Sequence, residues 1–239
     1  MFRLILVRHG ESVWNHSQRF TGWADVDITD LGISQMRKAG HLLRDHGIDV
    51  DLAFTSALRR CIRSQWELLL AMDRVGVRSV VDWRLNERHY GALTGMSKAA
   101  AVLEFGPEAV HRWRRSFDAQ PPQSHEHGSE QRPAASHLQR PNREHVPNGE
   151  SLAQVVRRVR PLWDHMIAGA IKSGKRVVVT AHGNSLRALI KLIESVPDDE
   201  IVSVEVPNAM PLVYELDATL KPVGRSWLGT VPASASEIL

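Results

Sequence analysis

Leu4-Ile5-Leu6-Val7 runs directly into Arg8-His9-Gly10, and far downstream Val177-Val178-Val179-Thr180-Ala181 runs into His182-Gly183. No other feature limits the fold as much. A short uninterrupted aliphatic run reads as a strand buried on both faces, and the glycine that closes each run permits a sharp turn. In open α/β sheets ligands bind beyond the carboxyl ends of the strands. Two strands that end in His-Gly therefore present two imidazoles, one with a guanidinium beside it, to one pocket of one parallel sheet.

The rest of the chain supports that sheet. Trp14 to Asp27 shows no helical period and reads as a loop over the pocket mouth. Thr29 caps a helix that runs to about His46, with Gly47 as its C-cap. Asp51 to Thr55 is a short strand, and Ser56 is placed to cap a helix from Ala57 to about Met72. Arg59 and Arg60 then fall in the first helical turn, where the dipole favours anions, so a bound anion is expected there. Val77 to Val81 is a third strand, followed by the titratable segment Leu85 to Gly91. Helices are expected from Ser97 to Phe105 and around Glu108 to Arg115. Leu152 to Lys172 forms a long amphipathic helix with Val155, Val159, Leu162 and Met166 on one face. A helix from Asn184 to Ser195 follows the second His-Gly strand. Val202 to Val206 and Pro211 to Leu216 read as strands joined by a turn at Pro207 to Met210, from which Asn208 can reach the site. The alternation predicts a three-layer α/β/α sandwich with a mostly parallel central sheet, one domain over residues 1–239.

Two stretches stand apart. Asp118 to Asn148 is poor in aliphatic residues and predicts a mobile insertion. It contains His125, His127, His137 and His145, whose spacing matches no zinc pattern, and no metal is expected. Thr230 to Leu239 reads as a frayed tail. The single cysteine, Cys61, precludes an intramolecular disulfide and reads as a buried helix residue. A formal charge of +3 is too small to separate nucleic acid, membrane surface and small anions as partners. The seven tryptophans show no stacking pattern for nucleic acid. No run is long enough to span a bilayer, and the amino terminus reads as a core strand rather than a leader, so a cytoplasmic protein is expected.

Arg8-His9-Gly10-Glu11-Ser12 followed by Trp14-Asn15 resembles the signature of the histidine phosphatase superfamily, and the fuller match is to its 2,3-bisphosphoglycerate-dependent phosphoglycerate mutase branch. The resemblance runs to about Phe117 and resumes from Pro147 to about Leu220. It implies that His9 is the nucleophile and carries the phosphoryl group, with Arg8, Arg60 and His182 clamping that group and Glu87 serving as acid and base. It further implies that Arg88, Tyr90, Lys98, Arg114 and Arg115 hold the substrate carboxylate and any second phosphate. Thr21 and Gly22 would lie at the pocket edge, with Asn15, Gly183 and Asn184 as neutral donors. The chemistry suits these residue types. A neutral imidazole is a competent nucleophile near pH 7, and guanidinium forks match phosphoryl oxygens. The expected reaction is interconversion of 3-phosphoglycerate and 2-phosphoglycerate, primed by 2,3-bisphosphoglycerate, in a homodimer or homotetramer. The alternative is a phosphatase, in which water takes the phosphoryl group. An altered Asp118 to Asn148 segment, in the region that covers the site in the mutases, favours that alternative by admitting water.

Overall fold

The computed structural model describes residues 1–124 and 146–229. The four expected histidines of the insertion and the expected tail at 230–239 lie outside them.

Six strands form one sheet: β1 (Phe2–Arg8), β2 (Leu52–Thr55), β3 (Arg78–Val81), β4 (Val177–Ala181), β5 (Pro211–Leu216) and β6 (Pro222–Trp227), in the order β3-β2-β4-β1-β5-β6. The first four strands of that order run parallel, whereas β5 and β6 are antiparallel additions. Strand period decides which helix layer each side chain meets. Leu4, Leu6, Leu52, Phe54, Val177 and Val179 enter one core cluster. Ile5, Val7, Ala53 and Val178 enter the other. The first face is covered by α6 (Leu152–Leu162), α7 (Ala168–Lys172) and α8 (Gly183–Glu194); the second by α2 (Asp30–Asp45) and α3 (Arg59–Ala71). A small third cluster of Phe20, Leu93, Ala101 and Val110 lies under α4 (Lys98–Phe105) and α5 (Pro107–Arg115). The α/β sandwich expected from the strand runs is the fold observed.

Several local expectations change. A short helix α1 (Val13–His16) interrupts the expected loop, because Ser12 and Asn15 form a capping box that supplies what hydrophobic period does not. Thr29 caps α2 as expected, while the C-cap is His46 and Gly47 follows it at positive φ. Helix α3 starts at Arg59 rather than Ala57, and Ser56 does not cap it; Asp25 Oδ1 accepts from the Arg59 N–H at 2.7 Å. One negative group at that helix start therefore comes from within the chain. Arg59 is exposed, and only Arg60 turns inward.

The long helix is continuous to Lys172 but passes through a π turn at Trp163–Ile167, just after Pro161. Proline has no N–H to donate to the preceding turn. The extra residue advances the buried face by one, so Ile167 is fully buried and Met166 is exposed. Val202 to Val206 is not a strand: Ile201–Ser203 is a 3-10 turn, and Arg8↔Asn208 is an isolated bridge beyond it. The β1 edge that such a strand would need is taken by β5, and β6 is the outer strand. With Pro at its start, Gly within it and little burial, β6 carries no core pattern.

Candidate active site

Register brings the two histidines together. Arg8 of β1 sits opposite Ala181 of β4, and the next amide, that of His9, donates to Ala181 O at 3.0 Å. The ring centroids of His9 and His182 are 5.0 Å apart, edge to face. Strand β2 ends alongside β4 and delivers Ser56 and, in the first turn of α3, Arg60. Strand β3 ends before the 3-10 turn Trp83–Leu85, which leads to Glu87. Four parallel strand ends therefore supply one site.

Gly10 is required where it stands. A Cβ there would lie 2.3 Å from the carbonyl oxygen of Gly32 in α2. The close approach pins the turn after His9, as does the bond from Gly10 N–H to Ser64 Oγ at 3.1 Å.

His9 Nδ1 lies 2.7 Å from Gly10 O. A carbonyl can only accept, so Nδ1 carries the proton and Nε2 keeps its lone pair. Burial and the charges of Arg60 and Arg8 hold the His9 pKa well below its usual value. His182 is shifted the same way by burial, Arg60, His9 and Arg8. Both imidazoles are therefore neutral at pH 7. His182 Nε2 faces Ser56 Oγ at 2.8 Å and Cys61 Sγ at 3.2 Å. Burial pushes the Cys61 thiol up to about 12, so it is not a thiolate nucleophile.

The guanidinium groups are fixed by carbonyls rather than carboxylates. Arg8 donates to Val206 O at 2.9 Å; Arg60 donates to Ala24 O and Gly22 O, each at 2.8 Å. Arg8 Nε, Arg60 Nε, and Arg88 Nε and Nη1 are buried with no hydrogen-bond partner among the described residues. Donors left over in this way suit an anion.

A cavity of about 240 Å³ collects Arg8, His9, Asn15, Thr21, Arg60, Glu87, Tyr90, Lys98, Arg114, Arg115, Gly183 and Asn184. His182, expected to clamp the phosphoryl group, does not itself line the cavity and is fully buried against His9. Glu87 Oε1 accepts from Asn184 Nδ2 at 2.8 Å and Arg88 N at 2.7 Å, which fixes the carboxyl group at the wall. Asn15 contributes Oδ1 to the cap of α1. Gly22 serves through its carbonyl on Arg60 and does not line the cavity. Arg88, expected to bind the substrate, does not line the cavity either; it is buried, its guanidinium 4.8 Å from the ring centre of the lining residue Tyr90. Lys98 Nζ donates to Gln18 Oε1 at 2.7 Å, and burial together with Arg114, Arg8 and Arg115 brings its pKa down to about 8.

The wall also holds Arg19, Arg187 and Glu205, which the sequence did not single out. Arg187 was within reach of sequence reasoning, since it lies one helical turn after Gly183 on the same face. Glu205 was hidden inside the segment read as a strand. Among the described residues no group of three or more His, Cys, Asp or Glu side chains is placed to hold a metal, and no helix is long and apolar enough to cross a membrane.

Residues 4–133 and 124–221 match the family model described as histidine phosphatase superfamily, branch 1. A mycobacterial glucosyl-3-phosphoglycerate phosphatase, solved with vanadate, is 26% identical, with a TM-score of 0.71 over 90% of this chain and 93% of that one. A structure described as mycobacterial hydrolase 1 is 25% identical, with a TM-score of 0.71 over 98% and 100%. The alpha-ribazole phosphatase of Shigella flexneri, at 20% identity and a TM-score of 0.65 over 90% and 91%, shares the fold.

Proposed function

We propose the following activity for this chain, which belongs to branch 1 of the histidine phosphatase superfamily: hydrolysis of a small phosphate monoester that also bears a carboxylate, through a phosphohistidine at His9. The observation that carries the reading is the His9 tautomer, neutral and with Nε2 as the unprotonated nitrogen in a cavity lined by Arg8 and Arg60. In the first half-reaction, Nε2 forms the N–P bond while the P–O ester bond breaks. The leaving oxygen takes its electron pair and receives the Glu87 proton. In the second, water attacks phosphorus, Glu87 takes back a proton, and the N–P electron pair returns to Nε2. The alcohol and inorganic phosphate are the products. Arg8 and Arg60 stabilise charge on the equatorial oxygens throughout.

Water as acceptor is supported by the likeness to a mycobacterial phosphatase of a phosphoglycerate derivative. The carboxylate is supported by Lys98, Arg114 and Arg115, more cations than a lone phosphoryl group needs. The same surplus favours a second reading, the phosphoglycerate mutase, in which the acceptor is a substrate hydroxyl and 2,3-bisphosphoglycerate supplies the priming phosphoryl group. Its anionic groups would be held by the partnerless donors of Arg8 and Arg60 in the cavity. Phosphorus NMR of the protein with 3-phosphoglycerate, with and without trace 2,3-bisphosphoglycerate, separates the two. Inorganic phosphate in both tubes supports the phosphatase. Cofactor-dependent 2-phosphoglycerate would replace it with the mutase, and no change in either tube would remove phosphoglycerate from the substrate class.

A further inference from the structure

Besides Glu87, Glu205 is a second carboxylate in a cavity wall rich in cations, one residue before Val206, whose carbonyl holds Arg8. Its Oε1 accepts from Arg115 Nη1 at 2.6 Å and lies 4.0 Å from Arg187 Nη2. Arg187 cannot turn away, because its Nε is bonded to Val204 O at 2.7 Å. The Arg115 guanidinium is likewise bridged to Val202 O at 3.5 Å. Two cations of the cavity wall, Arg115 and Arg187, are thus already shared with a carboxylate of the chain itself.

We infer that Glu205 is a specificity-determining residue, which admits a monophosphate with a single carboxylate and works against ligands that carry a second phosphate. The inference rests on the proposed substrate class above. A carboxylate ligand brings one negative charge, which Arg114 and Lys98 can meet while Arg115 stays with Glu205. A second phosphate brings nearly two charges into the same cavity, and to reach Arg115 it must either displace Glu205 or sit beside it. Like charges brought together in a partly enclosed cavity repel, and an introduced repulsion is an ordinary source of specificity. The neighbouring Arg115, Arg187 and Arg8 keep the Glu205 carboxyl ionised, with a pKa below its usual value although burial opposes them.

The test compares two ligands by isothermal titration calorimetry at low ionic strength, in a His9→Ala background so that neither is turned over. The ligands are 3-phosphoglycerate and 2,3-bisphosphoglycerate. Adding Glu205→Gln, which keeps shape and removes charge, is expected to shift the ratio of their Kd values at least about tenfold toward the bisphosphate, equivalent to about 1.4 kcal/mol. Adding Glu205→Asp instead should keep the ratio near that of the background. An unchanged ratio in the Gln variant, or a shift toward the monophosphate, overturns the inference while leaving the phosphatase reading intact. Failure of the background protein to bind either ligand overturns the proposed substrate class and this inference with it.

Discussion

The Glu87 segment is held by one buried ion pair, and breaking it should be costly. Arg158 donates Nε to Glu150 Oε1 at 2.7 Å and Nη2 to Glu150 Oε2 at 3.0 Å. It also donates to the carbonyls of Arg84 at 2.5 Å, Asn86 at 3.0 Å and Glu87 at 3.0 Å. The two side chains are only 9% and 4% exposed. Arg158→Met would leave the Glu150 charge uncompensated and the Arg84 and Asn86 carbonyls without this donor. The Glu87 carbonyl would keep Trp23 Nε1 at 2.6 Å. Removing one partner of a buried pair costs about 3–5 kcal/mol. For a chain of this size that lowers the melting temperature by roughly 6–20 °C. Adding Glu150→Gln to the same protein removes the stranded charge and should return ~1–3 kcal/mol of the loss, measured as a double-mutant cycle by thermal unfolding. A single Arg158→Met variant melting within about 2 °C of wild type would refute the reasoning, because the pair would then be replaceable by any packed side chain.

Three further outcomes follow from the same geometry. Gly10→Ala should destabilise by roughly 1–3 kcal/mol and depress turnover together, since the new methyl meets Gly32 backbone on a fixed helix; normal turnover with an unchanged melting curve would count against the close approach. The pKa values of His9 and His182 are both depressed in the fold, so below about pH 6.5 the unfolded chain binds protons that the folded chain does not. Stability should be fully present above that pH and fall as pH drops below it, and His182→Gln should flatten part of the slope in urea titrations. Lys98 is charged below about pH 8 and loses its proton above it; KM for an anionic substrate should rise above that pH, and Lys98→Met should remove the rise.

What sequence could reveal divides along physical lines. The strand ends were legible because aliphatic runs and His-Gly turns depend on local chemistry alone, and the observed register then places His9 beside His182. The Arg60 position was legible too, whereas Asp25, which accepts from the Arg59 amide at the start of α3, is a contact across 34 residues that no local pattern encodes. Met166 was misplaced because a π turn shifts helical phase by one residue without altering the hydrophobic spacing that precedes it. Val202 to Val206 alternates like a strand, yet sheet membership depends on a free edge, and β5 occupies the one beside β1. Glu205 and Arg19 escaped notice because their placement at the cavity depends on where loops lie in space rather than on neighbours in the chain.

The central claim is that His9 carries the phosphoryl group. Intact-mass and peptide mass spectrometry after rapid quench at alkaline pH, which preserves phosphohistidine, tests it most directly. With 3-phosphoglycerate as substrate, one phosphoryl adduct should form on the peptide containing His9 and should be absent from the His9→Ala protein. Product formation with no adduct on that peptide, or with the adduct on another residue, would contradict the account.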